Sequence, residues 1–143
     1  MLYKYLKLFL CALASSSSTP ISFISYGDWG AHNSNQETVA NTISQYTETY
    51  NSSFNLVLGN NFYENGVTSI TDPLWNTNYK NIYKNNNSWY VILGNHDYYG
   101  NTSAQIAYTG MDGRWNMPAN NYVIIRDNIK IIFLDTQQLD PIC

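Results

Sequence analysis

The 143-residue chain is short of charge, cysteine and histidine. Charged residues make up 12% and the net charge is -3, so there is no basic footprint and nucleic acid is excluded as an expected partner. Only two cysteines are present, Cys11 and Cys143. No apolar run is long enough to span a bilayer. Lys4 and Lys7 precede a short apolar stretch, Leu8 to Ala14, that ends in Ala-x-Ala. This reads as a secretory signal, residues 1–14, cleaved after Ala14, with a Ser-rich lead-in over 15–20. The expected mature chain is therefore secreted or held in a lysosomal or other endomembrane lumen, with no membrane contact after cleavage. Cys11 leaves with the signal, and Cys143 becomes the single mature cysteine, its partner expected downstream in a longer chain.

What is present is an ordinary apolar fraction, 44%, and an excess of amide, with 20 Asn. The asparagines are interleaved with apolar segments, which argues against a prion-like tract and for compositional bias. Asn51, Asn86 and Asn101 stand in Asn-x-Ser/Thr sequons and are expected to carry N-glycans.

Three apolar runs each end in Gly followed by Asp or Asn. Residues 21–26 run into Gly27-Asp28-Trp29-Gly30, residues 54–58 into Gly59-Asn60-Asn61-Phe62-Tyr63, and residues 89–93 into Gly94-Asn95-His96-Asp97. Apolar runs of this length, bounded by Gly, predict buried strands. Between them, Ser34-Asn35-Gln36-Glu37 predicts a capping box opening a helix to Tyr50, with Val39, Ile43, Tyr46 and Tyr50 on its packed face. Asp72-Pro73 predicts the start of a second helix, packed through Leu74, Trp75, Ile82 and Tyr83. A short helix is expected near 103–108, and Asp127-Asn128 is expected to turn a hairpin between 122–126 and 129–134. The alternation of strand and helix predicts an α/β fold. In such folds ligands collect at the carboxyl ends of the strands, so the three Gly-Asp/Asn tips should converge on one site.

Those three tips, in that order, resemble the calcineurin-like metallophosphoesterases. Tyr63, the stretch from Gly100 to Tyr108 and Arg114-Trp115-Asn116-Met117-Pro118 narrow the resemblance to purple acid phosphatases of the tartrate-resistant type. It covers residues 21–139, the N-terminal half of a family domain, and implies the N-terminal part of a four-layer αββα sandwich. Residues 21–143 are thus expected to form a C-terminally truncated metallophosphoesterase domain.

The resemblance implies hydrolysis of phosphate monoesters by two-metal activation of water. The dinuclear centre would be Fe(III) with a second Fe, Zn or Mn. Asp28 and Tyr63 would hold the Fe(III), Tyr63 as the phenolate that gives such enzymes their colour. Asn60 stands where the family places a bridging ligand, and Asn95 would bind the second metal. His96 would contact the phosphate or protonate the leaving group, with Asp97 orienting its ring. His32 is read as a surface loop residue.

The chain departs from the family pattern in three places. The bridging position carries Asp in the family, and the neutral amide of Asn60 brings no charge to share between two cations. The three further ligands of the family are His from its C-terminal half, whereas this chain has only His32 and His96. Tyr98 stands where members often have a second His. The chain is expected to be a truncated, weakly active or inactive form. The alternative is a non-catalytic secreted phosphoesterase-like binding protein.

Overall fold

A computed structural model describes residues 20–139 of the chain. The expected signal at 1–14, nearly all of the Ser-rich lead-in, Cys11 and Cys143 lie outside the described residues.

Four strands form a parallel sheet in sequence order: β1 (Phe23–Tyr26), β2 (Phe54–Val57), β3 (Ser88–Val91) and β4 (Trp115–Asn116). The register aligns Ile24 with Asn55, Asn55 with Trp89, and Trp89 with Trp115. β4 is too short to announce itself by periodicity, and only the pairing with Trp89 and Tyr90 reveals it. Helix α1 (Ser34–Tyr50) joins β1 to β2, a π-helical segment Trp75–Lys80 lies between β2 and β3, and α2 (Thr102–Ala107) lies between β3 and β4. Right-handed crossovers between consecutive parallel neighbours place every connection on the same face. Ala40 and Ile43 of α1, Trp75 and Tyr79, and Ala104 with Tyr108 accordingly share one buried cluster with Trp89 and Trp115.

That helix-side core is built from rings. Trp29 sits 5.0 Å from Trp89, 5.3 Å from Phe62 and 5.4 Å from Tyr83, centroid to centroid. Trp75 stacks on Tyr108 at 3.5 Å and 4°. Edge-to-face and offset-stacked pairs contribute about 0.5–1.5 kcal/mol each beyond their burial. Trp75, Tyr83 and the half-buried Leu74 and Ile82 pack as the sequence predicted.

Helix α1 differs from its prediction in two respects. Its N-cap is Asn33, whose side chain accepts from the backbone N–H groups of Asn35 and Gln36, so Ser34 is the first helical residue rather than the cap. Its buried stripe is Gln36, Ala40 and Ile43, while Val39, Tyr46 and Tyr50 are exposed. A buried polar residue at 36 hides this stripe from a reading based on apolar spacing. Gln36 is held in the core because its Nε2 donates to the Asn78 carbonyl and its Oε1 accepts from the His32 N–H.

The opposite face of the sheet is covered by the hairpin β5 (Tyr122–Arg126) and β6 (Ile129–Phe133), an antiparallel pair turned at Asp127-Asn128 as expected. Phe133 is buried, Tyr122 stacks on it at 4.3 Å, and Phe133 lies 6.3 Å from Tyr90. The Tyr122 hydroxyl donates to the carbonyls of Val91 and Asn116, which fastens the hairpin to β3 and β4. The described residues thus form a four-stranded parallel sheet and a two-stranded antiparallel one, in the α/β class the sequence predicted.

Candidate active site

The strand tips carry the site. β1 ends before Gly27-Asp28, β2 before Leu58-Gly59-Asn60, and β3 before Ile92-Leu93-Gly94. Because the strands are parallel and in register, the segments that follow them emerge at one edge. Close approach between the tips is possible only because Gly94 has no side chain. A Cβ there would lie 2.2 Å from Asn60 Oδ1 and 2.4 Å from the Asn60 backbone nitrogen.

Asp28, Asn60 and Tyr63 meet. Asn60 Nδ2 donates to Asp28 Oδ1 at 2.9 Å and to the Tyr63 hydroxyl oxygen at 3.1 Å. The Tyr63 hydroxyl donates to Asp28 Oδ1 in a short contact. Asn60 Oδ1 accepts from the backbone N–H of His96 at 3.1 Å, which ties the second tip to the third. The hydrogen bond from Tyr63 and then that from Asn60 hold the Asp28 carboxyl below the usual carboxylate range. Tyr63 moves the other way: burial first, and the bond to Asp28 second, push its phenol up. The proton between them therefore sits on Tyr63, which is a phenol and a donor in this arrangement.

The His96 ring lies 4.4 Å from the Tyr63 ring. Its Nδ1 is 2.7 Å from the carbonyl oxygen of Glu64. A carbonyl only accepts, so Nδ1 carries the hydrogen and Nε2 is the atom left to meet a ligand. The Asn95 side chain is exposed at the same edge.

Asp97 does not orient His96, contrary to the expectation. Its carboxylate is fully buried and turned inward, where it accepts from the backbone N–H groups of Asn61, Phe62 and Gly94 and from Gln105 Nε2. Burial outweighs these bonds and raises its pKa above the ordinary carboxylate value. The physical reason is demand: the tight turns after β2 and β3 leave amide hydrogens in the interior, and a buried acceptor must satisfy them. Asp97 is a positioning residue for the two tips, and the Glu64 carbonyl takes the ring role assigned to it. Asn61 and Gln105, which the sequence reading did not single out, belong to the same network. Asn61 donates to Gln105 Oε1 and to the Ile92 carbonyl, and accepts from Trp29 Nε1.

Tyr98 is directed away from the tips. Its hydroxyl donates to Asp135 Oδ2 at 2.5 Å, and Asn120 Nδ2 donates to both groups. His32 is exposed on the loop before α1, as expected. The three sequon asparagines, Asn51, Asn86 and Asn101, are exposed. Asn101 also caps α2 through its Oδ1.

The calcineurin-like phosphoesterase model matches residues 21–141. The chain belongs to this family. Human tartrate-resistant acid phosphatase type 5 is 32% identical to it, over 92% of this chain and 46% of the human protein. Purple acid phosphatase 3 of Arabidopsis thaliana is 35% identical, over 85% of this chain and 35% of the plant protein. The solved structure of GAP50, the anchor in the inner membrane complex of Plasmodium, superposes with a TM-score of 0.73 at 26% identity, over 85% of this chain and 44% of that one. The chain thus spans less than half the length of these relatives. No helix among the described residues is long and apolar enough to cross a membrane.

Purple acid phosphatase relatives imply a dinuclear metal centre. The described residues of this phosphoesterase-family chain do not fit one by themselves. They hold no group of three or more His, Cys, Asp or Glu side chains able to grip a metal ion. The side chains that meet at the tips are one carboxylate, Asp28, one phenol, Tyr63, and an amide, Asn60, that turns its N–H groups, not its oxygen, toward them. Even an open catalytic zinc site uses three protein ligands.

Proposed function

We propose that the edge formed by Asp28, Asn60, Tyr63, Asn95 and His96 is the substrate-facing half of an acid-phosphatase-type site for phosphate monoesters, working in a secretory or lysosomal lumen. The residues of this chain alone hydrolyse little or nothing. The observation that carries the reading is the convergence of three Gly-Asp/Asn strand tips at one edge, in a phosphoesterase-family chain, with His96 Nε2 left free by the Glu64 carbonyl. His96 Nε2, the ring nitrogen outside the Glu64 contact, faces the phosphate, and the exposed Asn95 amide is a donor at the same edge. Asp97 contributes by holding the turns that present both groups. Family metals such as Fe(III) with Fe, Zn or Mn would need ligands beyond those described here.

A non-catalytic role is the second reading. It is favoured by the amide at position 60 and by the likeness to a solved protein named as an anchor. N-glycans on the exposed Asn51, Asn86 and Asn101 accord with either reading.

The test is phosphate binding and p-nitrophenyl phosphate hydrolysis by the secreted chain at mildly acidic pH. Phosphate should bind weakly, His96→Ala should weaken it several-fold, and turnover should stay at background. Phosphate binding indifferent to His96→Ala would overturn the reading of the site. Turnover with two bound metals would overturn the statement that these residues suffice for little or none.

A further inference from the structure

We propose that Asn60 acts as a built-in replacement for a cation: its amide closes the strand-tip cluster by hydrogen bonds, so that this end of the sheet is locked without metal. The inference rests on reading this edge as the family site, but its test reads stability and metal uptake rather than activity.

The orientation of the amide is fixed by an unambiguous donor. The backbone N–H of His96 can only donate, and it lies 3.1 Å from Asn60 Oδ1. Nδ2 must therefore face the other way, toward Asp28 Oδ1 at 2.9 Å and the Tyr63 hydroxyl oxygen at 3.1 Å. The two amide hydrogens meet two oxygens, and the Tyr63 hydroxyl hydrogen goes to Asp28. The donors and acceptors that face one another are matched, with one net negative charge spread over three groups.

The amide also has little room to turn or retreat. Asn60 has φ +51°, a left-handed conformation that asparagine tolerates better than most residues. Its Oδ1 packs against Gly94, where even a Cβ would intrude to 2.2 Å. A cation entering between Asp28 and Tyr63 would meet the positive end of the Asn60 dipole and would have to displace three hydrogen bonds.

An aspartate at position 60 reverses this. One of its oxygens would still accept from the His96 N–H, but the other would stand where Nδ2 now lies, 2.9 Å from Asp28 Oδ1. Two carboxylate oxygens at that separation repel unless a cation or a shared proton lies between them. The single exchange of the amide for a carboxylate thus changes the cluster from one that refuses a cation to one that demands it.

The experiment uses the secreted chain, purified with chelator, and follows thermal unfolding and bound metal with and without Zn, Mn or Fe near neutral pH. The native chain should keep its Tm within about 1 °C in all conditions and carry well under one metal per chain. In chelator, Asn60→Asp should lose about 4 °C or more. The double variant Asp28→Asn/Asn60→Asp, which exchanges the carboxylate and the amide, should regain most of that loss without any metal. A native chain that takes up stoichiometric metal and gains several degrees would overturn the proposal. So would an Asn60→Asp chain as stable as the native one in chelator. If Asn60→Asp does not fold in chelator, the double variant decides: folded, it supports the proposal, and unfolded, it overturns it.

Discussion

The two faces of the four-stranded sheet are covered very differently. On the helix side, Trp29, Phe62, Trp75, Tyr79, Tyr83, Trp89 and Trp115 are each no more than 3% exposed and interlock ring against ring. On the hairpin side, the buried apolar cluster is Phe54, Tyr90 and Phe133, with half-buried residues around it. The hairpin's outer surface leaves Val123, Ile125 and Ile132 exposed at 48%, 66% and 59%, and Leu134 just beyond β6 at 61%. The strands contribute equally to both faces, so the difference comes from the connections. Consecutive crossovers of one hand deliver α1, the π-helical segment and α2 to one side, and among the described residues a two-stranded hairpin is what reaches the other. Stability should reside in the ring core, and stickiness in the hairpin.

The largest test of that asymmetry is Trp115→Ala. It removes a fully buried indole, together with its hydrogen bond to the Gln105 carbonyl, from the centre of the ring core. A loss of about 3–5 kcal/mol in denaturant unfolding is expected. A loss below about 1 kcal/mol would mean that the rings are loosely packed.

Next is Asp72, which accepts from the Thr68 N–H and hydroxyl and from the Leu74 N–H ahead of the π-helical segment. Burial pushes its pKa up, but these hydrogen bonds win and hold it below the ordinary value. Its folded pKa is thus depressed. Its stabilisation is full above the unfolded pKa of about 3.9 and fades as pH falls through the lower folded value. Asp72→Ala should cost about 1–2 kcal/mol near neutral pH, and the gap to the native chain should narrow in acid. A pH-independent gap would show that the charge is irrelevant.

A gain is expected from Asn55→Val. Asn55 lies on the helix face between Ile24 and Trp89, fully buried, and neither of its amide atoms meets a partner among the described residues. Replacing an orphaned amide with a β-branched apolar group should add about 1 kcal/mol. A loss instead would reveal a bonded amide, by way of an internal water.

The smallest effect on stability is expected from Ile132→Lys on the outer face of the hairpin, within about 0.5 kcal/mol. It should nonetheless reduce self-association, measured by sedimentation, because it breaks the exposed apolar stripe with charge. Unchanged self-association would place the sticky surface elsewhere.

Much of this was legible in the sequence. The three strands, the Asp127-Asn128 turn and the gathering of Asp28, Asn60, Tyr63 and His96 follow from apolar runs punctuated by Gly and from the rule that parallel strands share a functional edge. What was missed shares one character, which is polarity serving the interior. Gln36 takes a core position, and Asp97 serves buried amides rather than His96. A side chain's hydrogen-bond partner can lie dozens of residues away, so nothing in local spacing reveals it.

The sequence by itself determined the alternation of strand and helix, the family membership and the identity of the groups at the strand tips. These are local or patterned properties, written in adjacent residues. Only the tertiary structure decided which way each polar group points. It turned Asn60 Nδ2 toward Asp28 and Tyr63, gave His96 Nδ1 to the Glu64 carbonyl, and drew Asp97 inward. The reason is that a buried donor or acceptor must be matched by another, and which groups are matched is settled by distances that exist only after the strands have aligned.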